Sequence, residues 1–185
     1  MRGGNGAVDV LEVIRTRRMH RSFTPTPVED GALACLVWAA GKAPMGGAEL
    51  VRRLVVVTDP RVVETVRQVT PSLLANAPAL ILICTDLERA EASMGRQGRD
   101  ILSLLDAGAA AENIALAAPT LGLGVCFVRS ANEAALREVL ELPDSVRPDI
   151  LVAVGHPAST PSPGVKAPAP IAYRDRFGTP WEPSP

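Results

Sequence analysis

Residues 15–21 read Arg15-Thr16-Arg17-Arg18-Met19-His20-Arg21, a dense basic cluster in a chain whose net charge is only -1. A guanidinium presents a planar fork of donors that suits phosphate or carboxylate oxygens taken two at a time. If the chain is helical here, Arg17 and Arg21 lie four apart and Arg18 lies three from Arg21, so the three could converge on one anion. A solvated basic face, or ion pairs to acidic neighbours, would produce the same composition, and the cluster alone leaves both readings open. A second stretch, Lys42 to Ala48, contains Gly46 and Gly47, where bare backbone could come close to a ligand. Cys35, Cys84 and Cys126 lack C-x-x-C spacing, and His20 and His156 are the only histidines. They read as buried, reduced thiols. No catalytic triad or acid/base pair stands out, and a nucleophilic Cys with His20 or His156 as its base is a minor alternative.

The elements that would position these residues follow in order. Asp9 and Glu12 make a capping-box pattern that opens a helix with Val10, Leu11, Val13 and Ile14 on its apolar side. Thr26-Pro27-Val28-Glu29 predicts the start of a second helix, with Ala32, Leu33, Leu36, Val37, Ala39 and Ala40 buried. Strands are predicted at Leu54–Thr58, Ala79–Cys84, Val125–Val128 and Asp149–Gly155, and helices after the caps Asp59 and Asn132. Thr70–Ala77 reads as a partly ordered loop and Asp86–Asp100 as a mobile polar excursion. The stretch Ile101–Val128 reads as a central helix, apolar nearly all the way round, kinked near Pro119 and running into a strand. Its alanines would let neighbouring backbones come very close.

Composition bounds the function. With 185 residues, 47% hydrophobic and 21% charged, the chain is expected to be a single globular domain. Its balance of charge gives no reason to expect nucleic acid. The start lacks the apolar core of a signal peptide, and the longest uncharged run, Ile114–Val128, falls short of the roughly 20 residues of a membrane span. A cytoplasmic protein with no membrane association is the expectation. Residues 1–7 read as a disordered lead, 8–157 as the core domain and 158–185 as an extension. That extension carries Ile171, Tyr173, Phe177 and Trp181, apolar groups suited to packing on a partner subunit.

Four places, read in order, resemble the FMN-dependent nitroreductase superfamily over nearly the whole chain. RTRRMHRSF is similar to the family's Arg-Arg-Ser-x-Arg-x-Phe signature, and AAGKAPMGGAELVRRLVVV to its Ala-Pro-Ser loop and first strand. DAGAAAENIALAAPTLGLGVCFV resembles its Gly-Ala-Ala-x-Asn-Leu-x-Leu-Ala-Ala helix and Gly-Leu-Gly turn. VLELPDSVRPDILVAVGHPA resembles its Leu-x-Leu-Pro and Gly-x-Pro close. The resemblance implies an α+β fold, with a central, mainly antiparallel sheet flanked by helices. It also implies a homodimer that exchanges its C-terminal extensions, with FMN at the subunit interface. By position, Arg17, Arg18 and Arg21 would hold the FMN phosphate and ribityl chain, with Lys166 completing the phosphate site. Pro44, Met45 and Gly46 would approach the isoalloxazine from the partner subunit, and Val128 and Arg129 would lie near the flavin face.

The implied activity is hydride transfer from NAD(P)H or an organic donor, through FMN, to a small organic acceptor in a ping-pong scheme. The closing YRDRFG resembles the Tyr-x-x-Trp-Gly ends of short members, cyclodipeptide oxidases among them. Departures from the pattern fall on cofactor positions. Met19 and Met45 stand where serines are usual, Ala48 and Leu50 where Asn and Gln are usual, and Arg129 where a glycine often lies. The alternative reading is a protein of this fold that has lost FMN and acts as a binding or partner subunit.

Overall fold

Ala79 to Cys84 is apolar without a break, and it becomes a strand buried on both of its faces. The computed structural model describes residues 8–159 and 172–181. Strands β1 (Arg52–Val57), β2 (Ala79–Asp86), β3 (Gly124–Val128) and β4 (Val146–Gly155) lie in the order β1-β2-β4-β3, each neighbouring pair antiparallel. Successive side chains on a strand point to opposite faces. Accordingly Ile81 and Ile83 enter one apolar cluster, while Leu80, Leu82 and Cys84 enter the other. Helices α2 (Asp30–Gly41) and α5 (Ser103–Ala117) cover the first cluster. The second is covered by α3 (Pro60–Gln68), α6 (Glu133–Val139) and the segment 70–77. The result is an antiparallel sheet flanked by helices on both faces, the architecture that the family resemblance implies.

Helix α5 is the core of the stretch that looked central in the sequence. Ala107, Ala110, Ala111, Ile114, Ala115 and Ala118 are all buried, and Asn113 reaches across to α2, its Nδ2 donating to Ala39 O at 3.0 Å. Protein surrounds this helix on the sheet side and under α2. Its start departs from the expectation of burial all round, because Ile101, Leu104 and Leu105 remain exposed within one chain.

Several expected boundaries move. The first helix, α1 (Val10–Thr16), keeps its Asp9 cap but stops two residues into the basic cluster, with Arg17 already extended at ψ 133°. α2 begins at Asp30, capped by Glu29 without a side-chain bond, because residues preceding Pro25 and Pro27 are driven toward extended backbone. The expected loop over 86–100 is helical. Asp86 accepts from Arg89 N at 3.1 Å and caps α4 (Leu87–Gln97). The run then continues through a π-helical turn, Gly98–Leu102, into α5. Gly95, at φ 68°, supplies a kink that only a residue without Cβ adopts readily. The segment 70–77 is anchored, with Thr70, Leu73, Ala75 and Ala77 buried. Pro119 opens a 3-10 turn, Ala118–Leu121, that closes the helical run. By length and composition, the whole run Leu87–Leu121 could cross a membrane, unlike the shorter uncharged run considered in the sequence. In the fold it holds the core helix.

β4 meets β2 through a bulge, Ile83 pairing with Ile150 and Cys84 with Pro148, so that Asp149 is the extra residue. A proline cannot donate to a ladder and is tolerated at such an interruption. The buried Asp149 carboxylate accepts from Thr85 Oγ1 at 2.5 Å and Arg147 Nε at 2.6 Å. Arg147 in turn donates to Arg99 O at 3.1 Å and Ser103 Oγ at 2.8 Å, which ties the sheet to the π-helical turn.

Candidate functional site

Beyond α1 the chain runs extended along the end of the sheet. His20 N donates to Val125 O at 2.9 Å, Thr24 N to His156 O at 2.9 Å, and Ala158 N to Ser22 O at 3.0 Å. Extended backbone does not gather residues three and four apart onto one side, so Arg17, Arg18 and Arg21 do not converge as a helix would have made them. Arg17 Nε pairs with Glu112 Oε1 of α5 at 3.1 Å. Arg18 Nη1 turns back onto the carbonyls of Arg15 and Arg17, at 3.0 and 2.8 Å. Arg21 is exposed and makes no ion pair among the described residues. It borders a cavity of about 200 Å³ that it shares with Met19, His20, Ser22 and Ser159.

His20 was not singled out as a site residue, yet the fold gives it a constrained place. A Cβ at Gly124 would lie 2.6 Å from its ring, so the glycine that opens β3 makes room for the imidazole. Its Nδ1 is buried without a hydrogen-bond partner among the described residues. Burial lowers its pKa from the usual 6.5, which keeps the ring neutral at pH 7. A guanidinium without an ion pair and two hydroxyls around one small cavity make a donor set that fits a phosphate group.

The second part of the site is the loop between α2 and β1. Pro44 is exposed and Met45 half-buried. Gly46 N donates to both carboxylate oxygens of Asp106, at 3.1 and 3.0 Å. Arg52, at the head of β1, is 5% exposed, and its guanidinium donates to Asp106 O at 3.0 Å and to Ala43 O at 3.3 Å. Burial depresses its pKa, and the Asp106 charge acts in the opposite direction. Ala48 and Leu50 are exposed and bring no side-chain hydrogen bond to the loop. α5 therefore touches both parts: Glu112 meets the arginine strand and Asp106, six residues earlier, holds the loop. At 1.5 Å per residue the two lie about 9 Å apart along the helix.

The remaining expected residues are scattered. Val128 is buried in the second cluster, and Arg129 is exposed, pairing with Glu133 at 3.3 Å. Lys166 lies outside the described residues. Burial pushes the Cys84 thiol up to about 12 and raises that of Cys126 as well, so neither is a nucleophile at neutral pH. Among the described residues, no group of acidic, histidine or cysteine side chains could hold a metal ion. The arrangement can seat an anion and present a backbone loop to a flat ligand. It contains no acid/base pair that would do chemistry by itself.

Comparison with known proteins gives the family and the fold. The model of the nitroreductase family matches residues 61–156, just over half of the chain. An FMN reductase (NADPH) of Bacillus subtilis is 28% identical over 90% of this chain and 73% of its own. A protein of Archaeoglobus fulgidus, provisionally named NADH dehydrogenase/NAD(P)H nitroreductase, is 31% identical over 80% of this chain and 86% of its own. Among solved structures, the NfrA1 nitroreductase of B. subtilis superposes with a TM-score of 0.75 at 27% identity, covering 86% of this chain and 71% of the other.

Proposed function

The chain belongs to the nitroreductase family, and from that premise we propose that it is a flavin-dependent oxidoreductase that binds FMN and uses NAD(P)H. The observation that carries the reading is the anion pocket at Arg21, because a charged donor set with no acid/base pair beside it suits a phosphate-bearing cofactor better than a catalytic residue. FMN, when bound, supplies hydride acceptance and donation. In this reading Arg21, Ser22 and Ser159 hold its phosphate end, and Arg17 and Arg18 border the ribityl side. Lys166 adds charge from the extension. Pro44, Met45 and Gly46 pack on the ring and the exposed Arg129 borders its face, whereas Val128, buried in the second cluster, offers it no surface. The chain's part in the reaction is to bind, orient and exclude water. Donor and acceptor occupy the same small-molecule site in turn, a ping-pong scheme.

The site is shared between two copies of the chain. Support comes from the apolar surface one copy leaves open: Val10, Leu11 and Ile14 on α1, Trp38 on α2, and Ile101 and Leu105 at the start of the core helix. Of the extension, the described residues 172–181 pack on the partner in this reading, supported by Phe177 at 93% and Trp181 at 51% exposure in a single chain. Three free cysteines support a reducing, cytoplasmic setting. A second reading, a partner subunit that has given up FMN, draws on Ala48 and Leu50 and on the Arg17–Glu112 pair. Each lost neutral hydrogen bond forfeits about 0.5–1.5 kcal/mol. Flavin absorbance decides between them. The purified protein, reconstituted and desalted, is expected to be yellow with about one FMN per chain, and a colourless protein that takes up none would overturn the enzyme reading.

A further inference from the structure

We propose that Asp106 is a positioning residue for the flavin reaction, acting through the loop it holds, and the proposal rests on the FMN reading above. Two independent contacts carry it. The Asp106 carboxylate takes the Gly46 N–H symmetrically, at 3.1 and 3.0 Å, and is the only side chain that bonds the middle of the loop among the described residues. Arg52 then secures the loop's start through Ala43 O and the same helix turn through Asp106 O. Between these two anchors only Pro44 and Met45 protrude, so the clamp sets the height and tilt at which they meet a ring. The loop cannot settle further toward α4, because Met94 already fills the space where a Gly47 Cβ would sit, 2.8 Å from its Cγ and Sδ.

The charge on Asp106 has a second purpose. Arg52 is buried with no carboxylate in ion-pair contact among the described residues, and an unpaired buried charge is costly. The nearby Asp106 carboxylate offsets it, so loop anchor and counter-charge reside in one side chain. Removing the carboxylate frees the loop and strands the guanidinium. Replacing it with an amide keeps an acceptor for Gly46 and removes only the charge. Neither change touches the phosphate pocket at Arg21.

The experiment compares wild type, Asp106→Ala and Asp106→Asn, each loaded with FMN. The readouts are far-UV circular dichroism, FMN affinity, visible circular dichroism of the bound flavin, flavin midpoint potential, and the rate of flavin reduction by NADPH. Asp106→Ala is expected to hold FMN within about threefold of wild type, shift the flavin's visible dichroism and potential, and slow its reduction about tenfold to a hundredfold. The loss should fall on kcat more than on KM, with Asp106→Asn restoring much of it. A folded Asp106→Ala with wild-type dichroism, potential and rate overturns the proposal, and so does one that simply loses FMN, since that would make Asp106 a binding residue. If Asp106→Ala does not fold, Asp106→Asn decides by the same readouts: a partial shift supports the proposal, and an unchanged spectrum and rate overturn it. A wild type that binds no FMN overturns the flavin reading and this proposal together, whereas a yellow wild type with indifferent variants overturns this proposal alone.

Discussion

Arg17, Arg18 and Arg21 share a residue type and a few positions of sequence, yet the fold gives them three different environments. Arg17 is already paired with Glu112, and Arg18 caps carbonyls of its own turn. Arg21 alone faces the small cavity without an ion pair among the described residues. A charge-assisted hydrogen bond is worth about 1.5–3 kcal/mol, so Arg21→Ala is expected to weaken FMN about tenfold to a hundredfold with the fold intact. Arg17→Ala alone should cost less, because the side chain must first leave Glu112, and the double variant should release the flavin. Fluorescence titration of FMN checks this, and full occupancy in the double variant would refute the phosphate site. The basic cluster was legible in the sequence, but not which of its arginines borders the cavity. The involvement of Asp106 and Arg52 was not legible, since an acid in an apolar helix and an arginine at a strand head carry no local signal of the loop they clamp.

At the scale of elements, the bulge at Asp149 joins β2, β4 and the π-helical turn in one buried hydrogen-bonded unit. Burial raises the Asp149 pKa above 3.8, against the opposing effects of Thr85, Arg147 and the more distant Arg129. The sign follows from proton binding. Between 3.8 and the raised value the folded state holds more protons than the unfolded chain, so this residue's contribution to stability falls as pH rises through that window. Urea unfolding of wild type and Asp149→Asn across pH 4–6 should show the wild type losing ground to the variant as pH increases. A constant or opposite difference would mean that Arg147 holds the carboxylate charged. The same elements show where patterning failed. The polar stretch 86–100 suggested a loop, but the Asp86 cap and the continuity into α5 make it helical, with its two glycines placed at a kink and a π turn instead of at breaks.

For the whole molecule, the apolar surface left open runs over α1, Trp38 and the start of the core helix, with Leu11 at 75%, Trp38 at 66% and Leu105 at 65% exposure. Isolated exposed leucines are ordinary, whereas several large apolar side chains left open on three elements support the proposed subunit interface. Leu105→Glu is expected to shift a dimer toward monomers, because it buries a charge in the proposed interface, while far-UV dichroism stays unchanged. Sedimentation velocity at micromolar concentration reads the outcome directly. A wild type that is already a stable monomer under those conditions would contradict the shared site and leave the FMN pocket at Arg21 to be built from one chain.

The sequence by itself determined the family, the two-faced burial of β2, the caps at Asp9, Asp59 and Asn132, and the packing role of the alanines in α5. Each of these depends on local periodicity, capping chemistry or an ordered set of motifs, all of which can be read along the chain. Tertiary structure alone decided that the arginine cluster is extended, that only Arg21 faces the cavity, and that Asp106 and Arg52 hold the loop. Those outcomes depend on partners 60 and 54 positions apart in the Gly46–Asp106 and Arg52–Asp106 contacts. No spacing rule along the chain encodes a contact made only when a helix and a sheet close on each other.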